Sequence, residues 1–355
     1  MSDPATGIAA ARPAFKVGGE DKAFLAAALL GLVVHETVAG LFRCEATFGN
    51  WGNKDGHADF LYFDRSVFEF GRDFSVSVGD TTIFDGRITG LEAHFPEGRP
   101  AEIAILAEDR FQDLRMTRRS RTFADMSDSA VMSQIAQDHG LTPQVNVSGP
   151  THKLLAQVNQ SDLAFMRERA RAIGAELWMD GQTLHVETRA SRTGTSKRLA
   201  FGRELREFSA LADLAGQRTS VTVGGWDVSG KNALSAQATD SAISGEVGND
   251  ESGVSILQGK LGDRKDAIAH GVPINQQEAQ ARAEAYFRGI ARRFVTAQGV
   301  AEPDPPLRVG SAAELSGLGP LFSGKYYVAG VRHIFDGAKG LRTEFTAERP
   351  GLSRP

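Results

Sequence analysis

The chain has 355 residues, 41% hydrophobic and 24% charged, with a formal net charge of −4. That length supports two or three packed units of ordinary soluble composition, and the mild acidity argues against a dedicated nucleic-acid binder. The single cysteine, Cys44, excludes an intramolecular disulfide and a Cys-rich zinc site, and its apolar flanks predict a small buried residue.

The N-terminus lacks the cationic start and sustained apolar stretch of a secretory signal. The longest apolar run, Phe24 to Val34, is too short to span a bilayer. The expectation is assembly in the cytoplasm, with no signal peptide and no stable membrane insertion.

Residues 1–13 read as a tail. From 14 to 110 the pattern is short strands between turns, expected to form a first β-barrel. FSVSV (Phe74 to Val78) alternates cleanly into the Gly79-Asp80 turn, followed by TTIFDGRITGLEAHF, the turn-rich PEGRP and AEIAILAED. Between 111 and 190 the period changes to that of an α/β unit. Ser127 is placed to cap a helix with Val131, Met132, Ile135, Ala136 and His139 on one face and Gly140 as its stop. A second helix begins at Ser161, buries Leu163, Met166, Ala170 and Ile173, turns Arg167, Glu168, Arg169 and Arg171 outward, and stops at Gly174. AELWMDGQTLHV is a hairpin around Asp180-Gly181.

Ser191 to Lys197 reads as a linker. The block 191–297 then carries a strand at Arg218 to Val228 and a polar Gly/Ser-rich loop at Ala238 to Gly253. A helix follows from Asn275, with Glu278 at the capping-box position, to about Phe294. Residues 298–355 return to strand and complete a second barrel. The fold class is therefore α+β: two β-barrel domains with an inserted small α/β unit and helices.

GPLFSGKY (Gly319 to Tyr326) comes within one residue of a phosphate-binding loop, with Tyr326 where the hydroxyl residue belongs. The residues after Lys325 read as strand, and a phosphate loop must open a helix, so a nucleotide-binding enzyme using Gly319 to Lys325 is the weakest reading. No H-E-x-x-H or Gly-x-Ser-x-Gly motif occurs, the eight histidines are scattered, and Cys44 has no base partner. The sequence therefore offers no catalytic, cofactor-binding or metal-binding residues, and the chain is read as a non-enzyme. The cationic run Arg115, Arg118, Arg119 and Arg121 is a candidate interface for an acidic partner, against the plainer reading of a salt-bridged edge strand.

The chain also echoes itself. Phe84-Asp85-Gly86-Arg87-Ile88, then Gly90 and His94-Phe95, resembles Phe322-Ser323-Gly324-Lys325-Tyr326, then Gly330, His333 and Phe335. Gly86, Arg87, Gly324 and Lys325 are read as corner residues of two related barrels. Chance similarity of two short β segments is the alternative.

RRSRTFADMSDSAVMSQIAQDHGL, then QVNQSDLAFMRERARAIGAELWMDGQTLHV, resembles the phage late control protein D family, which shares its fold with the hub of VgrG proteins. VTVGGWDVSGK, FSGKYYVAGVRH and the closing Thr343-Glu344-Phe345 extend the likeness over about residues 14 to 350. The resemblance implies a trimeric baseplate hub of a contractile tail or injection particle, with two barrels per chain joining a sixfold tube to a threefold spike. It implies as partners the homotrimer, a tail tube protein, a separate spike protein and other baseplate subunits, and a final place in a virion tail or injection-particle baseplate. A monomeric β-rich binding module, such as a carbohydrate-binding tail component, is the alternative.

Overall fold

The computed structural model describes residues 12–192, 194–227, 230–269 and 273–354. Most of the expected tail, Thr193 of the expected linker, Val228, Ser229 and His270 lie outside them. The fold is mostly β, with about 50% strand and 21% helix.

The first half supplies β1 (Ala14–Val17), β2 (Leu29–Thr37), β3 (Arg43–Gly49), β4 (Asp73–Val78), β5 (Thr81–His94) and β6 (Glu102–Glu108). Their spatial order is β1-β4-β5-β6-β3-β2, every pair antiparallel. Alternation drives this half. Phe74, Val76 and Val78 point into one core with Phe15, Phe48 and Phe68, while the intervening serines face away. Cys44 is buried in that core, where desolvation pushes its thiol well above the usual range and leaves it inert.

Next comes the α/β unit: β7 (Arg118–Ser127), α1 (Asp128–Asp138), β8 (Thr142–Asn146), β9 (Thr151–Ser161), α2 (Asp162–Ile173), β10 (Ala175–Asp180) and β11 (Thr183–Thr188). The two caps form as their residue types dictate: Ser127 Oγ accepts from the Ala130 N–H and Ser161 Oγ from the Ala164 N–H. Gly174 ends α2 at φ 70°, a conformation that favours glycine. The unit has its own core around Ile135, Met166 and Leu184.

Arg169 corrects the sequence reading. It is not on an outer face but 6% exposed, with Nε 2.6 Å from Asp128 Oδ1 and Nη2 3.2 Å from Asp128 Oδ2. His152 Nε2 joins the same carboxylate at 3.0 Å. Helical periodicity places a residue on a face, but it does not reveal that a neighbouring element covers that face.

The second half supplies β12 (Ser196–Ala200), β13 (Leu205–Ala212), β14 (Ser220–Asp227), β15 (Asn232–Thr239), α3 (Gly253–Leu261), β16 (Lys265–Ile268), α4 (Gln276–Ala291), β17 (Val295–Ala301), β18 (Ala312–Ser316), β19 (Gly324–Asp336) and β20 (Gly340–Arg349). Of these, β12, β13 and β17–β20 pair in the order β12-β18-β19-β20-β17-β13. Numbered within its own half, each set runs first-fourth-fifth-sixth-third-second. The order is therefore the same twice; only the first pairing differs, being parallel in the second set. Between β13 and β17 an extra layer is inserted, in which β15-β14-β16 packs beneath α4. Asn275 caps α4 by accepting from the Glu278 N–H. The stretch read as a polar loop, Ala238 to Gly253, instead folds through two short helical turns and buries Ile243 completely.

The expectation of two barrels is corrected. Among the described residues neither set closes on itself; the two fuse into one open 13-stranded sheet. The physical reason is that β2 places its outer edge against β19 of the other set, antiparallel, from Thr37↔Gly330 to Gly31↔Asp336. An edge so used cannot return to close its own ring.

Candidate functional site

Among the described residues no group of three or more His, Cys, Asp or Glu is placed to hold a metal. A shallow groove of about 610 Å³ crosses β13, β17, β20 and β19, lined on the solvated face by groups such as Ser209, Gln298, Glu344 and Thr346. The phosphate-loop resemblance fails on geometry. Gly319–Phe322 is a single turn, and Lys325 runs straight into β19 opposite Glu314.

What the fold does build is a junction between the two strand sets. Leu32, Val34 and Glu36 alternate onto the buried face of β2, so Glu36 enters the interior at 1% exposure. Arg308, from the loop between β17 and β18, makes an ion pair there through Nε, and the Val309 N–H donates to Glu36 Oε2 at 3.4 Å. Arg308 also reaches the Thr82 carbonyl of β5 at 3.4 Å, so one side chain touches both halves. Burial raises the Glu36 carboxyl, opposed by the Arg308 charge.

Beside this pair, His333 of β19 is 2% exposed, with Nδ1 3.1 Å from Thr343 Oγ1. Desolvation, helped by Arg308, lowers it to about 3, so it is neutral near pH 7. The sequence reading did not single out Glu36; the signal that could have found it is its place on the inward face of a period-2 strand, after Leu32 and Val34. Its partner carries no such signal, because Arg308 lies 272 positions further along the chain.

Bulges fix how the two sets correspond. β5 bulges between Ile88 and Gly90 against β6, and β19 between Val328 and Gly330 against β20. β2 bulges between Leu29 and Gly31 against β3, and β13 between Leu205 and Glu207 against β17. Superposing the bulges equates Gly90 with Gly330, Leu29 with Leu205, Ala107 with Ala347 and Glu108 with Glu348.

The sequence echo was right about Gly90 and Gly330 but two residues out at its start. In this register Gly86 stands at the position of Tyr326 rather than Gly324. The two glycines have different local reasons. A Cβ at Gly86 would lie 2.2 Å from the Glu108 carbonyl oxygen, whereas Gly324 opens β19 at φ 141° beside Arg349. Arg87 bonds Asp113 at 3.4 Å, and Lys325 is exposed.

The matched glutamates both anchor the α/β unit. Glu108 pairs with Arg115 at the start of that unit and with Arg43 at 3.3 Å. Glu348 pairs with Arg189 at its end at 2.6 Å. Arg189 also bonds Glu176 at 3.0 Å and lies 4.0 Å over the Tyr327 ring.

In the arginine run, Arg119 reaches Asp162 at 3.3 Å, and Arg121 bridges Asp162 at 2.7 Å and Asp138 at 2.9 Å. Arg118 is exposed and makes no ion pair among the described residues. Most of the run's charge is thus used within the chain.

The architecture defines a class: a mostly β protein with the fold of phage tail proteins, built on a doubled six-strand order. The 43 kDa tail protein of prophage MuSo2 from Shewanella oneidensis matches with a TM-score of 0.70 at 15% identity, covering 96% of this chain and 98% of that one. A tail protein from Neisseria meningitidis MC58 matches with a TM-score of 0.67 at 10% identity, covering 96% and 97%. An Escherichia coli protein, described as a type VI secretion component structurally similar to two tail proteins of bacteriophage T4, matches with a TM-score of 0.57 at 14% identity, covering 92% and 76%.

The family model described as the Alg8 N-terminal domain matches residues 50–336, and the chain belongs to that family. No curated protein sequence matches it. Among the described residues no helix is long and apolar enough to cross a membrane.

Proposed function

We propose that the chain is a non-enzymatic hub subunit in the baseplate of a contractile tail or injection particle. In this role it joins a sixfold tail tube to a threefold spike. The observation that carries the reading is the doubled strand order. A chain with two equivalent sheet units converts threefold into approximate sixfold order when three copies assemble, because each copy presents two quasi-equivalent surfaces. The fold shared with tail proteins supports the same reading. Its partners are then two further copies of itself, the tube protein, the spike and other baseplate subunits. Its route is assembly in the cytoplasm followed by incorporation into the particle. The late control protein D and VgrG-like hubs are the analogues in this reading.

Sedimentation of the chain mixed with its tube and spike proteins tests it. The expected species contains three copies, near three times 38.1 kDa, plus partners. A strict monomer under those conditions refutes the hub and favours a monomeric β-rich binding module.

A further inference from the structure

We infer that β13 of one chain pairs antiparallel with the Gly90–His94 stretch of β5 in a second copy, repeating between chains the junction that β2 and β19 make within one. The pairing rests on the repeat; that three copies close the ring rests on the hub reading.

The strands left over are the first observation. The internal junction joins the second strand of one set to the fifth strand of the other. The equivalents of those two strands are β13 and β5, and among the described residues both lack a partner at the corresponding edge. Apart from a single bridge between Leu205 and Phe201, β13 pairs only with β17 among the described residues, at the end of the sheet. From Gly90 onward, β5 pairs only with β6 among the described residues. Six strands separate the two edges along the sheet of one chain, so they do not serve each other.

Register is the second. Carrying the internal pairs Val331↔Glu36, His333↔Val34 and Ile334↔Val33 through the bulge-defined equivalence gives Leu91↔Ala212, Ala93↔Ala210 and His94↔Ser209. Hydrogen-bond phase supplies an independent check. The Asp213 N–H donates to the Phe294 carbonyl at 3.0 Å, which turns the amides of Ala212, Ala210 and Phe208 outward, away from β17. At the internal junction the Val38 N–H donates to the Ala329 carbonyl at 3.1 Å. The backbone groups of Val331 and His333, and hence of their equivalents Leu91 and Ala93, therefore face the partner. Outward amides meet outward carbonyls in the transferred register; a slip of one residue would set them out of phase.

Surface chemistry is the third. The edge strand LREFSALA has no proline and no lysine, the devices that usually blunt an exposed edge. Leu211 is 61% exposed on it, and Phe95 is 64% exposed beside the edge of β5. At the between-chain junction Ala212 stands where the internal one has Glu36, so the between-chain ladder has no buried ion pair to form. It joins surfaces already folded, by backbone bonds and apolar contact.

The test is a cysteine pair in the otherwise native chain, His94→Cys with Ser209→Cys. Both positions are exposed, and facing residues on paired strands lie within disulfide range. Native Cys44 is 2% exposed and stays out of the reaction. Oxidation is expected to give covalent species of two and three chains and none larger, while His94→Cys with Ala212→Cys, out of register, gives none. Ala210→Pro removes one outward N–H without touching the β17 ladder and is expected to abolish trimers. Ala93→Pro should do the same from the other strand, which guards against misfolding of either variant alone.

Stable trimers in which the His94→Cys, Ser209→Cys pair fails to crosslink, or proline variants that trimerise like the parent, overturn the pairing and leave the hub reading intact. Crosslinked rings that bind neither tube nor spike protein overturn the hub reading and leave the pairing. A chain that stays monomeric and uncrosslinked with both partners present overturns both.

Discussion

Removing Arg308 is predicted to cost far more than neutralising the glutamate it holds. Glu36 is 1% exposed, and besides Arg308 its charge is supported by the long Val309 N–H bond and the weaker field of Arg192. Arg308→Met therefore leaves a buried carboxylate without its cation, a loss on the order of 3–5 kcal/mol. Glu36→Gln leaves instead a neutral amide and an arginine whose side chain is 35% exposed and can turn to water, a loss of about 1 kcal/mol. The double variant should cost little more than Glu36→Gln alone, giving a coupling nearly as large as the Arg308→Met loss itself.

The Arg308→Met deficit should also depend on pH. With Arg308 gone only the Val309 N–H and the Arg192 charge oppose burial, so the folded-state pKa of Glu36 stays above the unfolded value and the folded chain holds the proton longer. Stability is then lost as pH rises above about 4.5, and the variant is least impaired in mild acid. Hydrogen exchange at the Val34, Glu36 and Val331 amides reads the junction directly, and urea unfolding reads the whole chain. Equal costs for the two single variants, or additivity in the double, would refute this account of the junction.

Two other buried groups pull stability in opposite directions with pH. His333, lowered to about 3 from an ordinary 6.5, is protonated first in the unfolded chain, so its contribution is lost as pH falls below 6.5. Asp109, raised to about 7 by burial from an ordinary 3.8, takes its proton first in the folded chain and so adds stability as pH falls below 7. Each spans on the order of 4 kcal/mol. Asp109→Asn should steepen acid destabilisation between pH 6.5 and 4, and His333→Gln should reverse it, as thermal unfolding at several pH values will show. In the α/β unit, Asp128→Ala strands the buried Arg169 charge and should cost about 3–5 kcal/mol in urea unfolding, whereas the Asp128→Ala, Arg169→Met pair should recover most of that. Arg121→Ala should destabilise this unit by about 1–3 kcal/mol, since it bonds Asp162, Asp138 and Gln157. Arg118→Ala should leave stability unchanged and weaken capture of an acidic partner in a pull-down; unchanged capture would remove Arg118 from the interface.

Local chemistry was readable from the sequence wherever it acts within a few residues. Ser127, Ser161 and Asn275 cap helices because a short side-chain oxygen can reach an amide three residues on. Gly79-Asp80 and Asp180-Gly181 make hairpins because those turns need a residue that tolerates positive φ. Phe74, Val76 and Val78 reach the core because a strand alternates. The Gly90 and Gly330 echo was visible for the same reason, since each glycine sits at a bulge within one strand.

Only the tertiary structure decided the rest. The register of the repeat is carried by strand order and bulge position, which survive although Gly90/Gly330, Leu29/Leu205 and Ala107/Ala347 are among few matching residues. Strand pairing needs alternation and shape more than identity. The depth of Arg169, the Glu36–Arg308 pair and the use of β2's edge by β19 all depend on which distant segment arrives alongside. Closure was misjudged on the same ground: six strands with barrel-like patterning do not say whose edge completes them. The sequence determined each strand and its faces, and the fold determined which edges were taken and which were left open.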